Sequence, residues 1–242
     1  KVQDVRAQNC FDNVRRVAEL RPDKHILFTE GCQELAGTKM ELGDWKVGER
    51  YAMNIIADLN AGCEGWIDWN LCLNGQGGPN HVGNFCVAPV ILDTSSERLL
   101  FQPCFWYLGH FARFIRPGAR RVVCGTTRDI LEVTAFANGS AECPDSLAVV
   151  VLNQGEVDVD FWFKVGGAGA VVLRAYARSI QTFVVDREEG PHEPEEGRNS
   201  LSEVSWKSAA KEAELAQAES DQSAELERRR LAKKNGADKR RA

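Results

Sequence analysis

Two hydrophobic periods divide this chain near residue 119. Upstream, apolar residues recur at helical spacing between short apolar runs. Downstream, they alternate with polar ones. In residues 49–63, Ala52, Ile55, Ile56, Leu59 and Cys63 fall on one helical face. An apolar run at 25–29 precedes this stretch and another at 65–71 follows it, so the order strand, helix, strand predicts a parallel βαβ unit. Asp12 is a candidate cap for a short helix that turns Val14, Val17 and Ala18 inward and stops before Pro22. Residues 37–48 read as a loop. So does Asn74-Gly75-Gln76-Gly77-Gly78-Pro79-Asn80, which is too rich in turn formers for regular structure.

Residues 89–93 and 98–101 flank Thr94-Ser95-Ser96-Glu97 and predict a hairpin. Pro103 suits the first position of a helix, with Cys104, Tyr107, Leu108, Phe111, Phe114 and Ile115 on its apolar face and Pro117-Gly118 as its stop. From Ala119 the period is two. Leu131, Val133 and Ala135 alternate with Glu132 and Thr134; Val157, Val159, Phe161 and Phe163 alternate with Asp158, Asp160, Trp162 and Lys164. The unbroken apolar run 147–152 marks a central strand, and runs at 171–173 and 180–185 complete an antiparallel sandwich. Residues 187–200 are acidic, with two prolines and two glycines, and read as a linker. Residues 201–242 are rich in Ala, Glu, Lys and Arg, which supports a charged helical or disordered tail rather than a core. The basic end, from Arg228 to Arg241, reads as a solvated charged segment.

Composition narrows the picture. With 43% hydrophobic residues in 242, the chain can build a core. A net charge of -5 gives no reason to expect a nucleic-acid partner. No stretch reaches the ~20 apolar residues of a membrane span. The eight cysteines form no CxxC pair and lie mostly in apolar contexts, so they read as buried thiols that pack as small hydrophobes. Asn138-Gly139-Ser140 is a glycosylation sequon in an expected hairpin turn.

The chemistry concentrates in two apolar runs. Ile26-Leu27-Phe28-Thr29-Glu30-Gly31-Cys32 delivers one carboxylate to a strand end. Gly65-Trp66-Ile67-Asp68-Trp69-Asn70-Leu71 delivers indoles and polar groups. An acid beside tryptophans suits a sugar ring, whose apolar CH face packs on an indole.

These runs resemble glycoside hydrolase family 30, the glucosylceramidases. The resemblance is carried by Phe-Asp-Asn-Val at 11–14, Pro-Asp-Lys-His-Ile-Leu-Phe-Thr-Glu-Gly-Cys at 22–32 and Leu-Gly-Asp-Trp at 42–45. Gly-Trp-Ile-Asp-Trp-Asn at 65–70, Gly-Gly-Pro-Asn-His-Val-Gly-Asn-Phe at 77–85 and Tyr-Leu-Gly-His-Phe-Ala-Arg-Phe-Ile at 107–115 extend it, for coverage of about 11–186. The resemblance implies an α/β plus all-β fold, the C-terminal portion of a (β/α)8 TIM barrel followed by an antiparallel β-sandwich. Residues 1–118 would be an incomplete barrel domain, 119–186 the sandwich, and 187–242 the charged linker and tail.

For the site, the resemblance implies that Glu30 is the nucleophile of a retaining β-glucosidase. Trp69 and Asn84 would contact the sugar, and Asp68 would orient its neighbours. Cys32 reads as packing. The expected substrate is glucosylceramide or a related β-glucoside, hydrolysed by double displacement in a lysosomal or secreted setting. The family's chemistry needs no metal or other cofactor; peripheral contact with a lipid membrane is compatible with it, and no protein partner is implied. The family's acid/base glutamate lies in an Asn-Glu-Pro motif that these 242 residues lack; His192-Glu193-Pro194 falls in the acidic linker. Residues 5–10 also lack the expected aromatic segment. The isolated chain is therefore expected to be inactive. The alternative is a non-catalytic sugar- or lipid-binding remnant.

Overall fold

The computed structural model of the chain describes residues 10–34, 42–140, 144–166, 169–186 and 203–204. The expected tail, the Arg228–Arg241 end and His192-Glu193-Pro194 lie outside these residues. Two compact units divide the chain, 1–203 and 204–242, and of the second only Val204 is described.

The first helix, α1 (Phe11–Leu20), forms where expected, but Cys10 rather than Asp12 holds the cap position. The Cys10 carbonyl accepts from the Asn13 and Val14 N–H groups. Asp12 falls in the first turn, where a carboxylate still faces the positive end of the helix dipole. Next come β1 (Leu27–Gly31), the two-residue β2 (Gln33–Glu34), α2 (Trp45–Ala61) and β3 (Gly65–Asp68). Strands β1 and β3 pair in parallel with α2 as the crossover, as the sequence predicts.

Helix α2 begins a turn earlier than its apolar period suggests. Asp44 caps it by accepting from the Lys46 N–H at 3.0 Å, and Gly62, at φ 112°, ends it in the left-handed region. Gly48 therefore sits inside the helix instead of in a loop. The Tyr107 ring occupies the space a side chain would need there: a Cβ would lie 2.4 Å from its Cδ2.

Strands β4 (Cys72–Asn74), β5 (Cys86–Val87), β6 (Val90–Asp93) and β7 (Arg98–Phe101) follow. The expected hairpin is β6–β7, and β4 adds to it in parallel. Strand β5 returns to pair with β2. Pro103 opens α3 (Pro103–Phe114), and Cys104, Tyr107 and Phe111 are buried on its inner face. The remaining strands are β8 (Arg120–Val122), β9 (Leu131–Gly139), β10 (Pro144–Asn153), β11 (Val159–Lys164), β12 (Ala170–Ala175), β13 (Ser179–Asp186) and β14 (Glu203–Val204).

Strands β13, β10, β9 and β8 lie side by side in one antiparallel sheet, and β11–β12 form a separate hairpin. The sheet's strands β9, β10 and β13 are covered on both faces, whereas β8 at the edge is exposed. Phe136, Val150, Leu152 and Ile180 pack with Ala52, Ile55, Ile56 and Leu59 of α2 and with Tyr107 and Phe111 of α3. The alternate residues Leu131, Ala135, Val149, Val151 and Phe183 pack with Phe161, Phe163 and Leu173 of the hairpin.

Two polar residues of β9 are buried as a result. Thr134 is fully buried beneath α2, where its hydroxyl donates to Asn60 Oδ1 at 2.9 Å. Asn138 of the sequon is buried and donates to the Phe114 carbonyl at 3.0 Å, so its amide is not presented for glycosylation. Further polar links join the sheet and its β12–β13 turn to the helices. His110 meets Thr182 Oγ1 at 2.9 Å, Arg178 pairs with Glu49 at 2.8 Å, and the Trp45 indole donates to the Arg178 carbonyl at 2.8 Å. The expectation of buried thiols holds for Cys63, Cys86 and Cys104, but Cys10, Cys72 and Cys124 are exposed; Cys143 lies outside the described residues.

Candidate active site

Glu30 stands near the carboxyl end of β1, in an irregular stretch of the parallel ladder. Phe28 pairs with Trp66 and Gly31 with Asp68, so three steps along β1 match two along β3. The extra residue makes a bulge, and bulges re-aim the side chains they contain. Glu30 is exposed, as are Leu27 and Thr29 of the same strand. The residue after it must be small. A Cβ on Gly31 would lie 2.2 Å from Cη2 of Trp66, whose ring also stacks on Phe28 with centroids 5.0 Å apart. Trp66 is thus a structural indole, fixed further by its N–H donating to Asp58 at 3.1 Å.

Beside Glu30 lies a small cleft of about 110 Å³, lined by Phe28, Glu30, Gly31, Cys32, Arg50, Tyr51, Asn54 and Trp66. Glu30 is the only one of the four expected site residues that lines it. Arg50, Tyr51 and Asn54 were not singled out from the sequence. Their signal is the 50/54 polar pair, four apart on the helix, flanking the apolar stripe of α2.

Asp68 occupies the carboxyl end of β3. It accepts from the Tyr51 hydroxyl at 3.1 Å and from the Trp69 N–H at 2.9 Å. Its second oxygen is buried and has no hydrogen-bond partner among the described residues. Burial therefore pushes the Asp68 carboxyl above its ordinary range, against the two donors that pull it down. Burial, and next the Asp68 charge, push the Tyr51 phenol up as well. The Cys104 thiol is raised to about 12 by burial and then by Asp68.

Trp69 is anchored by its backbone and open at its ring. Its N–H also donates to the Gly31 carbonyl at 2.7 Å, which ties the start of the β3 exit loop to the residue after Glu30. The side chain is 53% exposed. Asn84 is exposed on the loop between β4 and β5. Asn74 builds the start of that loop by accepting from the Gln76 and Gly78 N–H groups, and the Asn80 amide donates to the Asn84 carbonyl at 2.8 Å. The pairing of β5 with β2 brings the Asn84 loop back toward the exit of the Glu30 strand.

Comparison with known proteins identifies the two parts of the chain. Residues 1–115 match the glycosyl hydrolase family 30 TIM-barrel domain, and residues 118–183 match that family's β-sandwich domain. The barrel match starts at Lys1, upstream of the Phe11 at which the sequence motifs begin. The chain is 36% identical over 177 residues to the lysosomal acid glucosylceramidase of Mus musculus, covering 70% of this chain and 33% of that protein. It thus spans about a third of the length of this curated relative. Among solved structures, SrfJ from Salmonella typhimurium aligns with a TM-score of 0.65 at 31% identity, over 74% of this chain and 38% of SrfJ. A family 30 endoxylanase from Clostridium papyrosolvens aligns at 0.55 and 19% identity, over 74% and 47%, a likeness of fold alone.

Proposed function

This chain belongs to glycoside hydrolase family 30, and from that premise we propose that it carries the nucleophile side of a retaining β-glucosidase site. The observation that carries the reading is Glu30, exposed near the end of β1, where the next residue, Gly31, pairs with Asp68 and accepts from the N–H of the exposed Trp69. In a retaining mechanism two carboxyl groups stand ~5–5.5 Å apart across the scissile bond. Glu30, ionised, attacks the anomeric carbon and forms a glycosyl ester as the aglycone leaves. The partner acid protonates the leaving oxygen and then takes a proton from the water that hydrolyses the ester. Trp69 offers its face to the CH face of the sugar, and Asn84 hydrogen-bonds a hydroxyl. Asp68 acts through Trp69, whose N–H it holds.

The substrate is a β-glucoside, with glucosylceramide the first candidate because the mouse relative is a glucosylceramidase; its name also motivates a lysosomal location. A glycolipid substrate would bring the protein into peripheral contact with a membrane. Residues 1–118 form the barrel portion in this reading, 119–186 the sandwich and 187–242 a charged tail. The 242 residues contain no Asn-Glu-Pro acid, and general acid–base help is worth ~10²–10⁴-fold. On its own, the chain should leave a fluorogenic β-glucoside intact. Supplied with the upstream barrel portion of a family member, it should turn the substrate over, and Glu30→Gln should abolish that turnover. Turnover that survives Glu30→Gln removes the assignment.

A second reading, a sugar- or lipid-binding remnant, is favoured by the exposed Trp69 ring. It requires glucose or glucosylceramide to bind without turnover even when the missing barrel portion is supplied.

A further inference from the structure

Two cysteines meet at the rim of the candidate site. The Cys32 thiol points at Cys86 Sγ, 2.8 Å away, although the two lie 54 positions apart in sequence. Each sits two residues beyond a proposed site residue, Cys32 after Glu30 and Cys86 after Asn84. Cys32 immediately precedes β2 and Cys86 opens β5, and the backbone register of these strands pairs Gln33 with Val87 and Glu34 with Cys86. The surroundings are dry, with Leu73, Ala88, Ile91 and Leu100 packed around the pair. The two sulfurs differ in access. Cys86 is 1% exposed, while Cys32 is partly open and lines the cleft beside Glu30.

We propose that Cys32 and Cys86 form a disulfide when the chain meets a small disulfide oxidant such as oxidised glutathione. The Cys32 thiolate attacks one glutathione sulfur, forming a mixed disulfide and releasing the other half as thiolate. The Cys86 thiolate then attacks the Cys32 sulfur, and the second glutathione leaves. The two thiol protons pass through solvent to the departing glutathione thiolates, and the electron pair passes to the oxidant, recovered as two glutathione thiols. Cys32 reacts first because the cleft admits the oxidant to it. Cys86 resolves because it is the neighbouring thiol.

The bond would staple the exit of β1 to the start of β5, and so fix the Glu30 strand end against the Asn84 loop. That last consequence rests on the proposed function; the bond itself does not. A staple of this kind persists in oxidising compartments and opens in reducing ones.

The test is disulfide mapping of the full 242-residue chain. The protein is equilibrated with oxidised glutathione, denatured, alkylated and digested without reductant, and the peptides are weighed. The expected result is one crosslinked species joining the Cys32 and Cys86 peptides, lighter than their sum by a pair of hydrogen atoms. Alkylation is lost at those two cysteines and retained at Cys63 and Cys104, and Cys86→Ser abolishes the crosslink. Full alkylation of both cysteines, a stable glutathione adduct on Cys32 with Cys86 free, or a random mixture of pairings would each overturn the proposal. The readout involves no sugar and no turnover, so it stands or falls apart from the glycosidase assay.

Discussion

The indole of Trp66 lies so close to the α-carbon of Gly31 that a methyl group there would sit 2.2 Å from its Cη2. The ring cannot simply step aside, because Phe28 stacks on it, Tyr51 meets it edge-on at 5.6 Å and Asp58 holds its N–H. Gly31→Ala should therefore destabilise the chain by ~1–3 kcal/mol, the usual cost of an overpacked methyl. Urea unfolding followed by tryptophan fluorescence measures it. A wild-type midpoint and an unshifted emission maximum would show that Trp66 has room.

Trp69 gives the opposite expectation. With its ring 53% exposed, Trp69→Ala should change stability by no more than ~0.5 kcal/mol. In an enzyme assembled with the upstream barrel portion, loss of an aromatic face worth ~1.5–3 kcal/mol should raise KM by roughly ten- to a hundredfold. The reverse pattern, an unstable protein with unchanged KM, would make Trp69 a packing residue.

Glu49 and Arg178 join α2 to the β12–β13 turn, and Glu49 is almost wholly buried. Burial raises its carboxyl from 4.5 to about 7, outweighing the pull of Arg178. The folded state then binds more protons than the unfolded one between these values, so stability falls as pH rises from 4.5 to 7. Glu49→Gln should flatten this slope. Arg178→Met leaves a buried carboxylate without its partner and should cost ~3–5 kcal/mol above pH 7 and less in acid. Urea midpoints across pH 4.5–8 decide, and a slope that Glu49→Gln leaves intact assigns it elsewhere.

His110 acts in the other direction. Fully buried against Thr182, its imidazole is pushed down to about 3 by loss of solvent. The unfolded chain binds this proton first, so the stability contributed by the neutral ring is full above pH 6.5 and erodes as pH falls toward 3. Imidazole NMR signals of His110 should show no titration between pH 7 and 4. A midpoint near 6 would mean that water reaches the ring.

The expected elements are found mostly because their periods are local. The stripe of α2, the proline start of α3 and the alternation in β11 each follow from neighbours in sequence. Long-range packing produced the departures. Nothing near Gly48 announces that Tyr107 will fill its side-chain space, and nothing near Thr134 announces Asn60. At the site, the motif points to Glu30, but the bulge in its strand exists only as a mismatch between two strands. Arg50, Tyr51 and Asn54 reach the cleft from a helix whose pattern is otherwise that of a core element.

The sheet core of β9, β10 and β13 has no face of its own to give to water: α2 and α3 cover one side and the β11–β12 hairpin the other. Its two halves are therefore not interchangeable modules. Severing the chain between Ile115 and Gly118 would strip the helices of their floor and the strands of their roof, leaving two pieces with bared apolar faces where each had covered the other. Recombination that respects the boundary between the two family domains in sequence would still fail, unless the helices and the sheet were inherited as a matched pair.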